Sequence, residues 1–171
     1  MSWSSIESVL FDIGKLVFLV YFMLFLIAVF SEKKVSSAVI GLMVLAVANG
    51  MMTALTPVLY ELSSRSGIGY KFVWYGSFTL IDCIAVFLLY KFHALLRQSV
   101  GRIASLIGQV FLLLASLQSI RFIDRFVIGY DVLQPFYQYL VPLINVLLIP
   151  AIIMLWLADI RIRRAVAQEG A

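Results

Sequence analysis

Residues 70–92 read YKFVWYGSFTLIDCIAVFLLYKF. A helix needs about 20 predominantly apolar residues to cross a bilayer, and this stretch supplies them. Near its middle stands Asp82, the only carboxylate well inside any apolar run of the chain. With each residue advancing roughly 100° around a helix, Tyr75, Thr79, Asp82, Val86, Tyr90 and His93 fall on one narrow face. Phe78, Leu80, Ile81, Ile84, Phe87 and Leu88 form the apolar body. A carboxylate at that depth costs about 2.5–3.5 kcal/mol on insertion scales and is a candidate functional site by default. The stretch predicts a spanning helix with a polar stripe and an acid at mid-depth.

The rest of the chain has the same character. Of 171 residues, 63% are hydrophobic and 13% charged, and the mean hydropathy is +1.05. Soluble domains carry about twice that share of charge. The composition fits an all-α integral membrane protein, a bundle of about five transmembrane helices with no room for a separate soluble domain. The net charge of +4 does not point to nucleic acid, because the basic residues sit in short clusters flanking apolar runs. One cysteine, Cys83, and one histidine, His93, exclude an intramolecular disulfide and argue against a protein-encoded zinc site. No metal and no cofactor is expected.

Outward from residues 70–92, four further spans are expected, at 14–30, 35–60, 103–122 and 136–158. Residues 1–13 place apolar positions at intervals of three and four, including Trp3, Ile6, Val9 and Leu10, as a short interfacial amphipathic helix would. They lack a basic leader and a cleavage site. The first span is almost purely aliphatic and aromatic, with the Tyr21 hydroxyl as its polar tip, and is expected on the periphery. The second carries Asn49, Thr53, Thr56 and Tyr60 on one face. Its small residues Gly41, Ala46, Ala48, Gly50 and Ala54 allow close helix approach. Pro57 is expected to end or kink it. In the fourth, Ser105, Gln109 and Ser116 share a face, and Gln118, Arg121 and Arg125 another. Arg121 and Arg125 read as a basic pair snorkelling at the helix end. Residues 123–135 read as a loop. The fifth span is interrupted by Pro142 and Pro150, with Asn145 between them, and residues 159–171 form a basic tail.

Five spans put the termini on opposite sides. Lys33, Lys34, Lys91, Arg97, Arg102, Arg161, Arg163 and Arg164 share the side of the C-terminus. Lys15, Arg65, Lys71, Arg121 and Arg125 share the other, beside Glu7, Asp12, Glu61, Asp124 and Asp131. This basic bias puts the C-terminus in the cytoplasm and the N-terminus outside, in a bacterial-type inner (plasma) membrane. The cluster Lys33, Lys34, Arg97, Arg102, Arg161, Arg163 and Arg164 would meet anionic lipids there.

In this topology Asp82 and Asn49 share a level within roughly 2 Å, with Gln109 deeper and Asn145 slightly outward. For the three amides an interhelical hydrogen-bond network is the simpler role, at about 0.6 kcal/mol per bond. For Asp82 packing and ion handling weigh evenly, because an asparagine would pack as well without the charge. Enzyme signatures are missing: there is no HExxH, GxSxG or phosphate loop. Two readings remain. The first is a non-enzymatic membrane subunit that oligomerises or anchors and senses within a membrane complex, of signalling, stress or defence type, with copies of itself or another protein as partner. The alternative is a small ion channel or a proton- or cation-coupled transporter. Its candidate site is Asp82, Asn49, Thr53, Thr79, Gln109 and Asn145.

Overall fold

The computed structural model describes residues 5–129 and 132–169. Trp3 and Asp131 lie outside the described residues, and the side chains of Ile6, Glu7, Leu10, Arg163 and Arg164 are not described. The chain is an all-helical membrane bundle. Among the described residues there are five long helices: α1 (Ser5–Glu32), α2 (Ser37–Ser63), α3 (Ile68–Leu95), α4 (Arg102–Ile123) and α5 (Gln134–Glu169). Each is long and apolar enough to cross a membrane. Their outer faces carry Leu16, Leu19, Phe30, Leu80, Phe87, Met154 and similar side chains, the surface lipid requires.

Two ends are distinct. The start of α1, the end of α2, the start of α3, the end of α4 and the start of α5 meet at what we call the mouth end. The opposite, basic end carries the α1–α2 and α3–α4 connections. There α2, α3 and α4 pack tightly. A Cβ placed on Gly41 of α2 would lie 3.2 Å from the Ala104 backbone of α4, and one on Gly108 would lie 3.1 Å from the Leu89 side chain. Small residues there let the helices close on Leu42, Leu45, Leu89, Ile107 and Phe111, all buried. The connections are stitched to this core. The His93 ring bonds the Leu89 carbonyl through Nδ1 at 2.7 Å. A carbonyl only accepts, so Nδ1 donates and Nε2 is free to accept from the Ser37 hydroxyl, 2.7 Å away. The Gly101 N–H donates to the same Ser37 oxygen at 2.7 Å.

Helix α1 buries Val17, Tyr21, Leu24 and Ala28, packs Ile13, Val20 and Phe25 partly against the core, and leaves Leu16, Leu19, Met23 and Phe30 exposed. Tyr21 donates to the backbone carbonyl of Asn145 at 2.6 Å. The hydroxyl read as a lone polar tip thus ties α1 to α5, as does Trp156 Nε1, which donates to Glu32 Oε1 at 3.3 Å.

Four boundaries differ from the sequence reading. Residues 5–13 are not a separate interfacial helix but the first turns of α1, since nothing between Ile13 and Lys15 breaks the helix. Pro57 does not end α2, which runs on to Ser63. Residues 124–128, expected in a loop, form a π-helical turn, Asp124–Ile128. Its Asp124 carbonyl accepts from Gly129 N at 3.0 Å, and Gly129 ends it at φ +81°. The apolar span expected to end at residue 158 ends at Ile162, and the tail after it is not separate from the helix, because α5 continues through the basic segment to Glu169.

Candidate functional site

A partly open cavity of about 330 Å³ lies in the mouth half of the bundle, and all five helices line it. Asp82 stands on its wall. The residue is 1% exposed, and neither carboxylate oxygen has a hydrogen-bond partner. Around it the cavity gathers Asn49, Thr53 and Thr56 from α2, Gln118 from α4 and Asn145 from α5. The two asparagines donate to their own helices, Asn49 Nδ2 to the Leu45 carbonyl at 3.1 Å and Asn145 Nδ2 to the Val141 carbonyl at 2.9 Å. These bonds fix the amide groups and consume a donor, leaving each side-chain oxygen as an acceptor.

Prolines add to the acceptor character. Pro57 has no N–H to give the Thr53 carbonyl four residues back, and Pro142 none for Gln138. Thr53 and Gln138 both line the cavity. Proline inside a membrane helix is tolerated where the protein or a cavity accommodates the freed group.

The other wall is aromatic. On α3, Trp74, Phe78 and Asp82 follow at intervals of four residues, so the rings stand above the carboxylate on one face. Trp74 and Phe78 meet edge to face, with centroids 5.0 Å apart and planes at 71°. Tyr60 of α2 stands edge-on to Trp74 at 6.3 Å. Towards the mouth, Tyr137 of α5 donates to Gln118 Oε1 at 2.5 Å. Just beyond, Arg121 Nη1 bonds Asp124 Oδ2 at 3.0 Å, and Leu133 N donates to the same oxygen at 3.0 Å. Arg121 is 2% exposed.

The sequence candidates divide accordingly. Asp82, Asn49, Thr53 and Asn145 come together at the cavity. Thr79 is half-buried and outside its walls. Gln109 is exposed, and its amide turns back to Ser105 Oγ on its own helix at 3.4 Å. Its position is a correction: the Gln109 face of α4 looks outward, because Gly108 and Ile107 take the packed side. Arg121 and Arg125 do not act as a pair. Arg125 is exposed with its guanidinium 5.3 Å from the Phe126 ring centre. Arg121 does not snorkel but turns inward, because Asp124 one turn later neutralises it. Lys33, Lys34, Arg97, Arg102 and Arg161 are exposed at the basic end, with Arg102 Nε 3.9 Å from Asp159 Oδ1. The stripe on α3 is also shifted. Its buried face runs through Tyr75, Phe78, Ile81, Asp82, Ala85, Leu89 and His93, while Tyr90 is exposed.

Sequence reasoning missed Trp74, Phe78, Gln118, Tyr137 and Gln138 as cavity residues. The signal for the first two was present, since they precede Asp82 by eight and four residues. No family model matches the chain, and neither a curated protein nor a solved structure is significantly similar to it.

Proposed function

We propose that this protein is a non-enzymatic membrane carrier that binds a small monovalent cation at Asp82. The observation that carries the reading is a carboxylate almost wholly withdrawn from solvent, with two unpartnered oxygens, on the wall of a cavity built by all five helices. A buried acid with no internal partner is expensive to retain as packing alone. A cation, or a proton exchanging with it, supplies what the carboxylate lacks.

Two features favour a carrier over a channel. Below Asp82, towards the basic end, α2, α3 and α4 contribute Leu42, Leu45, Leu89 and Ile107, all buried and apolar. An alternating carrier needs such a closed side. The basic bias of the opposite connections puts the mouth end outside the cytoplasm, so the cavity would load from the exterior. The subunit reading, first on sequence grounds, becomes second. It is supported by the wide uncovered apolar faces of α1 and α5, which fit a second copy or a membrane partner as well as lipid. Native mass spectrometry in mild detergent tests it, and a lone monomer without partner would count against it.

The carrier is tested with a hydrophobic carbodiimide, which modifies intramembrane carboxyl groups. Peptide mass spectrometry should find the adduct on Asp82 in the wild type. Sodium, potassium, choline and protonated 2-phenylethylamine are then titrated as protectants. At least one should block modification in a saturable way, and a gradient of that cation should drive its movement into proteoliposomes of wild type but not of Asp82→Asn. Modification indifferent to all four would overturn cation binding, and protection without movement would overturn the carrier.

A further inference from the structure

We infer that the cavity takes an organic ammonium carrying at least one N–H and a compact aromatic body, with its nitrogen at Asp82 and its ring beside Phe78. This deepens the cation reading of Asp82 and rests on it. Four observations select the class. First, the two orphaned carboxylate oxygens call for hydrogen-bond donors, which a protonated amine brings and a quaternary ammonium does not. Second, among the described residues Asp82 is the one acidic group on the cavity wall, so one positive charge is matched there. No group of three His, Cys, Asp or Glu residues that would hold a metal ion exists among the described residues, whereas calcium takes six to eight oxygen ligands.

Third, the space is far larger than a bare ion fills. At about 330 Å³ it is roughly twice the engineered cavity of about 150 Å³ that binds benzene. It falls at the lower end of small-molecule pockets. Fourth, the aromatic wall has a register. Phe78 stands one turn above Asp82, about 6 Å along the axis, the kind of separation that a chain of two or three carbons sets between an amine and a ring. Trp74 continues the ladder, with Tyr60 edge-on to it. Aromatic faces attract ammonium groups as well as stacking on rings, so they also line the cation's way to the acid.

Calorimetric titration of the full chain in zwitterionic-lipid nanodiscs tests the assignment. Protonated 2-phenylethylamine is the probe. It is compared with neutral 2-phenylethanol, with butylammonium, and with trimethyl(2-phenylethyl)ammonium, which keeps charge and ring but has no N–H. Saturable binding of the probe at least tenfold tighter than each of the three supports the class. Asp82→Asn should weaken it at least tenfold. Phe78→Leu, which keeps an apolar body of similar reach, should weaken the probe at least threefold and leave butylammonium unchanged. Equal binding of 2-phenylethanol would make the site an apolar pocket, and equal binding of butylammonium would remove the aromatic role. Equal binding of the trimethyl compound would remove the N–H requirement. Each of the three overturns the inference. If no amine binds while sodium or potassium still protects Asp82 from carbodiimide, the ligand class fails and the cation site stands. If Asp82→Asn binds the probe like wild type, both fail.

Discussion

The two halves of the bundle are held together by different forces. At the basic end, Gly41 against the Ala104 backbone and Gly108 against the Leu89 side chain let the helices close, and dispersion between close-packed apolar groups holds them, with the Ser37–His93 bond at the helix ends. At the mouth end the helices stand apart around a cavity, and discrete polar ties bridge the gap: Tyr21 to the Asn145 carbonyl, Tyr137 to Gln118, and the Leu133 N–H ahead of α5 to Asp124 at the end of α4. Close packing leaves no space for a ligand between Gly41 and Ala104, and the cavity of about 280 Å³ beside Ser37, Arg102 and Asp159 lies at the outer edge of that half. A few directional bonds between separated helices leave space inside the bundle. The difference teaches that the closed half resists overfilling badly and the open half resists loss of single polar partners badly.

Six substitutions would break or sharpen that contrast, each read by thermal unfolding in detergent. The largest effect belongs to the mouth. Asp124→Ala removes a charge-assisted bond from the buried Arg121 and the acceptor of Leu133 N, so a loss of about 3–5 kcal/mol is expected, whereas Asp159→Ala, at a half-exposed carboxylate 3.9 Å from Arg102, should cost less. Next comes the closed half. Gly41→Val drives a branched side chain into the Ala104 backbone and should destabilise by about 1–3 kcal/mol. Gly50→Ala meets only the edge of the Phe18 ring, which can swing, and should cost less. Third, Asp82→Leu should raise the unfolding temperature while abolishing ligand binding, because it removes a buried charge that nothing in the protein satisfies. A gain of about 1–2 kcal/mol fits the penalty for such groups; destabilisation would mean that Asp82 serves the fold. The smallest effect is expected for Tyr137→Phe, which deletes one hydroxyl bond to Gln118, at about 1 kcal/mol.

The bundle was legible in the sequence because hydropathy records what every span must bury or show to lipid. The site was legible in part. Asp82 announced itself by the expense of its charge, and the 100° count put Asn49, Thr53, Thr56 and Tyr60 on one face, where all four line the cavity. Angular counting failed where tertiary packing chose between adjacent faces. Gln109 and Gln118 are both glutamines of α4, yet Ile107 and Gly108 turned one outward while Tyr137 drew the other in. Arg121 misled for another reason: its partner Asp124 lay in what read as a loop, and the π-helical turn that places it has no signature in residue types alone. The aromatic ladder above Asp82 was hidden by its ordinariness, since phenylalanine and tryptophan are expected anywhere in a membrane helix.

Helix α5 is continuous from the cavity to Glu169, seven residues beyond the end of its apolar span at Ile162, with Pro142 and Pro150 inside it. It holds Tyr137, Gln138 and Asn145 at the site and reaches Glu169 without a break. From Pro142, where the helix has a weakened hydrogen bond, to Glu169 it measures about 40 Å at 1.5 Å per residue. Such a rod is a lever with its fulcrum beside the ligand. A tilt of about 10° there would sweep the far tip through about 7 Å, by the geometry of a straight helix of that length. Occupancy of a space a few ångströms across would thereby be magnified into a displacement that another molecule on the basic side has room to feel.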